Sequence, residues 1–327
     1  MTTAVTVEHV RYPLAGTFTI ARGSRTVADT LKVTVHRDGV SGQAECVPYA
    51  RYGESLEAVR SQIEGVRDAL ANGLDQTGLQ AALPPGAARN AVDCALWDLH
   101  AKRTGRRVWD LLALPAPGPV RSVFTLSLDT PERMAASAQT HADKPALKLK
   151  LTGDGDLERV AAVREHAPIA EIIVDANEAW RPEHLDQFLP ALRQLGVAMV
   201  EQPLHADRDD ALAGYQSPIP LGADESCHDR ASLDRLVGKY QVVNLKLDKT
   251  GGLTEALALR QAARDRGFEI MVGCMMASSL AMAPAHLLAQ GARFVDLDGP
   301  LWLAEDANPP LPIDGVSIGA PSPALWG

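Results

Sequence analysis

Basic blocks are missing from this sequence. Its 32 lysines and arginines are outnumbered by 41 aspartates and glutamates, giving a net charge of −9, and they are scattered along the chain. A surface of that balance offers little grip to DNA, RNA or an anionic membrane. Aromatic residues make up only 5 %, too few for a stacking platform along single-stranded nucleic acid. No apolar run reaches the length of a membrane span. The opening MTTAVTVEHVRYPL has no basic start followed by an apolar core, so it does not read as a secretion signal. The four cysteines, Cys46, Cys94, Cys227 and Cys274, are far apart and form no CxxC pair. Free thiols in a reducing cytoplasm are the simplest reading, and a disulfide framework or zinc knot has little support. No GxGxxG follows an apolar strand, which removes the dinucleotide-binding fingerprint.

What remains is a globular chain with two kinds of pattern. Residues 1–48 alternate as strands do, in VTVEHVRYPL and TLKVTVHRDGV, and RDG signals a turn. Leu56, Val59, Ile63, Val66 and Leu70 then recur at helical spacing, as do Val92, Ala95, Leu96 and Leu99, ending near Gly105. Strands followed by helices predict an α+β capping domain over 1–113. LPAPGPV, 114–120, reads as a linker. From there eight short apolar strands recur, each with a helical stretch behind it: SVFTLSL, ALKLKL, EIIVDAN, VAMVEQP, IPLGADE, VVNLKLD, FEIMVGC and RFVDLD. Eight such units predict an α/β barrel of TIM type over 120–309 rather than an open doubly wound sheet. The Pro- and Gly-rich tail, 310–327, is expected to pack back on the N-terminal domain.

Chemistry in such a barrel sits at the C-terminal ends of the strands. Strand two ends with Lys148 and Lys150, strand three with Asp175, strand four with Glu201, strand five with Asp224, strand six with Lys246 and strand eight with Asp296 and Asp298. Singly, each acid could cap the helix that follows its strand, and an alternating strand could leave its lysines in water. Three carboxylates on three successive strands repel one another, and a hard divalent cation resolves that conflict. Mg²⁺ takes oxygen ligands and keeps positions open for water or substrate. Lys150 and Lys246 lie four strands apart in a ring of eight, so they approach such a cation from opposite sides. A neighbouring ammonium, Lys148, and the cation would both favour the neutral amine of Lys150, and Lys148 could also donate to a substrate carboxylate. Two opposed bases suit proton removal next to a carboxylate on one face and return on the other, which is racemisation or epimerisation. The charge that develops would be held as a metal-stabilised enediolate. A metal-bound, non-catalytic binding protein and a barrel without metal are the competing classes.

In this order, KxK, DxN, EQP, DES and the strand-six lysine resemble the enolase superfamily, muconate-lactonizing subgroup. The resemblance covers nearly the whole chain. It implies a (β/α)₇β barrel under an N-terminal α+β cap, Mg²⁺ held by Asp175, Glu201 and Asp224, and Lys150 and Lys246 as the acid/base pair. VDLDGP resembles the DxD feature of dipeptide epimerases, in which two acids, here Asp296 and Asp298, hold the substrate ammonium. No lysine is near them in sequence to pair with them. ARGSRT and YARYGES extend the likeness to the branch acting on L-Ala-L-Glu and L-Ala-D-Glu in murein peptide recycling. By that likeness Arg25, with Arg22 as competitor, binds the glutamyl carboxylate, and Tyr52 belongs to a lid. A plain surface charge is the alternative for either arginine. N-acylamino acid racemase, o-succinylbenzoate synthase and cycloisomerase activities share the same core site. One departure stands in GCMMASS: Met276, Ala277, Ser278 and Ser279 occupy a stretch where many members carry an acid. It removes a charge from the specificity region and leaves the metal ligands and bases in place. A small dipeptide is the expected partner, and homo-oligomerisation is left open.

Overall fold

A computed structural model describes residues 3–327. Three strands, Thr3–Ile20, Gly23–Arg37 and Val40–Cys46, form an antiparallel meander. The first two run further than the alternation in the sequence suggested. Beyond an irregularity between Pro13 and Phe18 they continue as a ribbon whose tip is Ala21–Arg22. That ribbon shows no buried apolar stripe, since its outer part is half-exposed, so local patterning could not reveal it.

The helix Ala87–Thr104 lies across the meander and buries Val92, Ala95 and Leu99. Gly105, with φ 65°, ends it in the left-handed conformation. Contact between helix and sheet is closest at Gly42. A β-carbon there would come within 2.2 Å of both Ala95 O and Leu99 N. The chain end returns to the same helix: Trp326 Nε1 donates to Cys94 O at 3.0 Å, and Gly327 N to Asp98 Oδ1 at 2.7 Å.

All eight expected barrel strands are present. They are Phe124–Leu126, Ala146–Lys150, Glu171–Asp175, Val197–Glu201, Leu221–Ala223, Val242–Leu245, Glu269–Gly273 and Phe294–Asp296, parallel and in sequential order. The ring closes where Val123 N donates to Val295 O at 2.8 Å. Full helices follow strands one, two, three, six and seven. After strands four and five there are only short 3₁₀ segments, Ala206–Leu212 and Arg230–Arg235. Consecutive acids, Gly214, Pro218 and Pro220 interrupt the first of these connections, and they disfavour a long helix.

The alternation of the strands sorts the barrel interior into layers. Ile173, Met199, Val242, Met271 and Phe294 form a separate apolar plug. Two residues further along their strands come Asp175, Glu201, Asn244, Gly273 and Asp296, directly above it. All five residues of ALKLK are buried. Lys148 and Lys150 therefore face the interior rather than water. No helix among the described residues is long and apolar enough to cross a membrane.

Gly42→Ala should separate sheet from helix, because the clash is with backbone atoms that cannot rotate away. A loss of about 2–3 kcal/mol, read from the urea midpoint, is expected. An unchanged midpoint would show that the seam can yield.

Candidate active site

Strand register brings the charged residues to one level. Lys150 pairs with Asp175, Asp175 with Glu201, and Glu201 with Gly222, two residues before Asp224. Asp175 and Glu201 are fully buried and Asp224 almost so. Taking such groups out of water is costly unless opposite charge meets them. Lys148 Nζ, with no exposure, lies 3.2 Å from Asp175, 2.7 Å from Glu201 and 2.7 Å from Asp296. Lys150 Nζ stands 2.6 Å from Asp175 Oδ2. Asp224 is forked by two ammonium groups, Lys246 on Oδ2 and Lys249 on Oδ1, each at 2.6 Å.

These contacts fix the direction of each proton equilibrium. Burial favours the neutral acid at Asp175 and Asp224, but Lys150 and Lys148 on the first, and Lys246 and Lys249 on the second, outweigh it and hold both below the usual carboxylate range. Glu201 goes the other way: burial and the Asp175 charge raise it. Burial likewise favours neutral amines at Lys148 and Lys246. The charges of Asp296, Glu201 and Asp175 on Lys148, and of Asp224 and Glu201 on Lys246, lift both above the ordinary lysine value.

Among the described residues no three acids or metal-ligating side chains are already converged on one point, because each acid is turned toward an ammonium. The donor set nevertheless fits a hard cation. Three carboxylates end three adjacent strands, and Glu201 is short of positive charge. Its Oε2 is buried without a hydrogen bond, although Lys148 is in ionic contact. Asn244 Nδ2 holds the other oxygen, Oε1, at 2.6 Å. The loops at these strand ends are strained: Asn177, Glu178 and Gln202 have φ of 46°, 68° and 36°. Non-glycine residues in that region concentrate at functional sites.

A cleft opens between this cluster and the cap. Lys150, Lys246, Asp224, Asp296 and Asp298 line it from the barrel, and Phe18, Ile20, Arg25 and Tyr52 from the cap. Lys148 does not line it. It is an internal cation rather than a group facing the cleft. The two arginines part company here. Arg22 at the ribbon tip is committed: it reaches Glu225 at 2.7 Å, Asn177 O at 2.9 Å and Tyr49 Oη at 3.2 Å. Both arginines line the cleft, but the Arg25 guanidinium makes no hydrogen bond or ion pair with the described residues. Tyr52 packs edge-on against Tyr49 and His228.

The acid pair differs from expectation. Asp296 has a lysine partner, Lys148, distant in sequence but 2.7 Å away. Asp298 accepts from the Thr125 backbone N–H at 2.6 Å, and burial followed by the Asp296 charge pushes its carboxyl up to about 7. Sequence reasoning passed over Lys249, Asn244 and Glu225. Lys249 stands one helical turn after Lys246, and Glu225 is the last residue of IPLGADE. Spacing alone gave no sign of which of these turned inward.

Residues 133–322 match the family described as Enolase C-terminal domain-like, and residues 2–113 the Mandelate racemase / muconate lactonizing enzyme, N-terminal domain. The chain belongs to this family. Among its enolase-family relatives, the L-Ala-D/L-Glu epimerase of Escherichia coli (strain K12) is 49 % identical over 92 % of this chain and 94 % of that one. An N-acetyl-D-glutamate racemase of Pseudoalteromonas sp is 45 % identical over 88 % and 91 %. A solved enolase family member from Agrobacterium tumefaciens, with homology to dipeptide epimerases and with bound sodium and L-Ala-L-Glu, is 46 % identical with a TM-score of 0.98 over the whole of both chains. The dipeptide epimerase of Enterococcus faecalis, complexed with Mg and L-Leu-L-Tyr, has a TM-score of 0.89 at 28 % identity, covering 97 % of this chain and 96 % of that one.

Asp224→Asn should weaken binding of a divalent cation at least about tenfold by calorimetry, because a charged oxygen ligand is lost. Unchanged affinity would take Asp224 out of the ligand set.

Proposed function

We propose that this protein is a Mg²⁺-dependent dipeptide epimerase that interconverts L-Ala-L-Glu and L-Ala-D-Glu. The observation that carries this reading is the pair Lys150 and Lys246, which line one cleft from strands four positions apart in the ring. The family relatives that act on dipeptides support it, and so does the carboxylate set. Asp175, Glu201 and Asp224 would hold Mg²⁺, which supplies stabilisation where negative charge grows on the substrate carboxylate.

The chain's own residues then divide the work. Lys150 and Lys246 act on opposite faces of the α-carbon, one taking the proton and the other returning one. In the substrate-free arrangement both are ion-paired, Lys150 to Asp175 and Lys246 to Asp224. Those pairings place each ammonium directly against an acid of the proposed ligand set. Lys148 keeps its charge among Asp175, Glu201 and Asp296 and fixes the acids in place. Arg25, unpaired and facing the cleft, would receive the glutamyl side-chain carboxylate through its planar fork. Asp298 would meet the substrate ammonium, with Asp296 behind it. Tyr52 would help close the cleft and exclude water.

We extend the reading to cell-wall peptide recycling in the cytoplasm, which the four unpaired cysteines suit. Racemisation of an N-acylated glutamate is the second reading. It is favoured by the Pseudoalteromonas relative and by the Lys148 contact that already neutralises Asp296.

Two sets of variants test these roles. Lys150→Ala and Lys246→Ala should each stop epimerisation, yet each should retain slow α-proton exchange in D₂O from one stereoisomer, a different one for each variant. Exchange of the same isomer by both would end the two-base account. Asp298→Asn should raise KM for L-Ala-L-Glu about tenfold or more and affect N-acetyl-glutamate far less, because only the dipeptide presents an ammonium. Equal losses on both substrates would favour the second reading.

A further inference from the structure

We propose that Glu45, a cap residue, is the positioning residue that sets the wall of the substrate cleft between barrel strands seven and eight. That wall is the segment Cys274–Ala277, which belongs to no helix or strand. Cys274, Met275 and Met276 line the cleft. The segment leaves strand seven at Gly273 and ends at Ser278, the N-cap of the helix Ser279–Leu288. Both hydrogen-bond donors of Ser278 go to Glu45: the backbone N–H donates to Oε1 at 2.9 Å, and the hydroxyl to Oε2 at 2.9 Å. Tyr12 Oη donates to Oε2 at 3.0 Å. Glu45 is only 2 % exposed, so its buried carboxylate relies on these three donors.

The segment is fixed elsewhere too, which isolates the part Glu45 plays. Gly299 follows the acid pair and leaves room for it. A β-carbon there would lie 3.1 Å from Ala277 O and 3.2 Å from Met275 O. The helix start has its own anchor, because Ser279 N donates to Asp306 Oδ1 at 2.8 Å and its hydroxyl also bonds that carboxylate. Loss of Glu45 therefore frees the wall without unwinding the helix. Since the wall abuts Asp298–Gly299, it borders the subsite that the dipeptide reading gives to the N-terminal residue. In that respect the inference rests on that reading.

Glu45→Ala should raise KM for L-Ala-L-Glu about tenfold while kcat stays within about threefold, as expected when a positioning contact rather than a base is lost. It should also shift the kcat/KM ratio of L-Ala-L-Glu to L-Leu-L-Glu toward the bulkier substrate. Glu45→Gln should restore both values. Its amide oxygen accepts from Ser278 N, and its NH₂ donates to the two hydroxyls, which can turn to accept. Tyr12→Phe, which keeps both Ser278 bonds, should leave KM unchanged. In the substrate-free protein, hydrogen exchange at residues 274–278 should quicken about tenfold in Glu45→Ala, with the barrel strands unaffected. Should Glu45→Ala fail to fold, Ser278→Ala carries the test, with the same direction and a smaller size.

Faster local exchange in a protein inactive on dipeptides would support the positioning role and defeat the dipeptide reading. Unchanged exchange together with equal losses on both dipeptides would overturn the positioning role. So would an Asp306→Ala variant that reproduced the whole Glu45→Ala pattern, since Glu45 would then act only through the helix start.

Discussion

Everything at the barrel mouth depends on pairing buried charge. Asp175, Glu201, Asp224 and Asp296 are taken out of water at one level of the ring, and the lysines that answer them are buried with them. Lys148 is the hub, with three carboxylate oxygens within 3.2 Å. Removing one member of such a set leaves an uncompensated charge, which is far costlier than replacing the set by apolar groups. Its lysines and acids hold one another in place by direct contacts of 2.6 to 3.2 Å.

The cap is joined to that barrel by polar contacts as well as packing. Asp248, just past Lys246, accepts from Val47 N at 3.1 Å and Asn90 Nδ2 at 2.7 Å, both from the cap. Arg89 reaches the backbone carbonyls of Thr250 and Gly251. On another side Arg51 forks Glu178 with two bonds of 2.7 Å, and Glu45 holds Ser278. The cap thus touches the loops after strands three, six and seven, each adjacent to a residue of the cleft.

The sequence carried the barrel because each strand obeys a local rule. A short apolar run with a helix or turn behind it repeats eight times, six of the runs carry a charge at the C-terminal end, and the period of two puts Lys148 and Lys150 on one face. It did not carry the outer ribbon, where Thr17 to Val27 lack an alternating buried face. Nor did it carry the helices missing after strands four and five with the same clarity, since ADRDDAL and RASLDR are short polar stretches that tertiary packing bends into 3₁₀ turns.

From sequence alone came the kind of residue at each strand end, and therefore a site with three acids and opposed lysines. That much follows from periodicity and from the chemistry of side chains. Only the tertiary structure decided which charges meet. Lys148 reaches past strand one to Asp296, Lys249 turns back onto Asp224, Arg22 is consumed by Glu225, and the Arg25 guanidinium is left free. Such pairings join residues up to about two hundred positions apart, and their sign and distance are set by barrel closure and by how the cap seats on it. No local pattern records either, because both depend on the relative placement of whole elements.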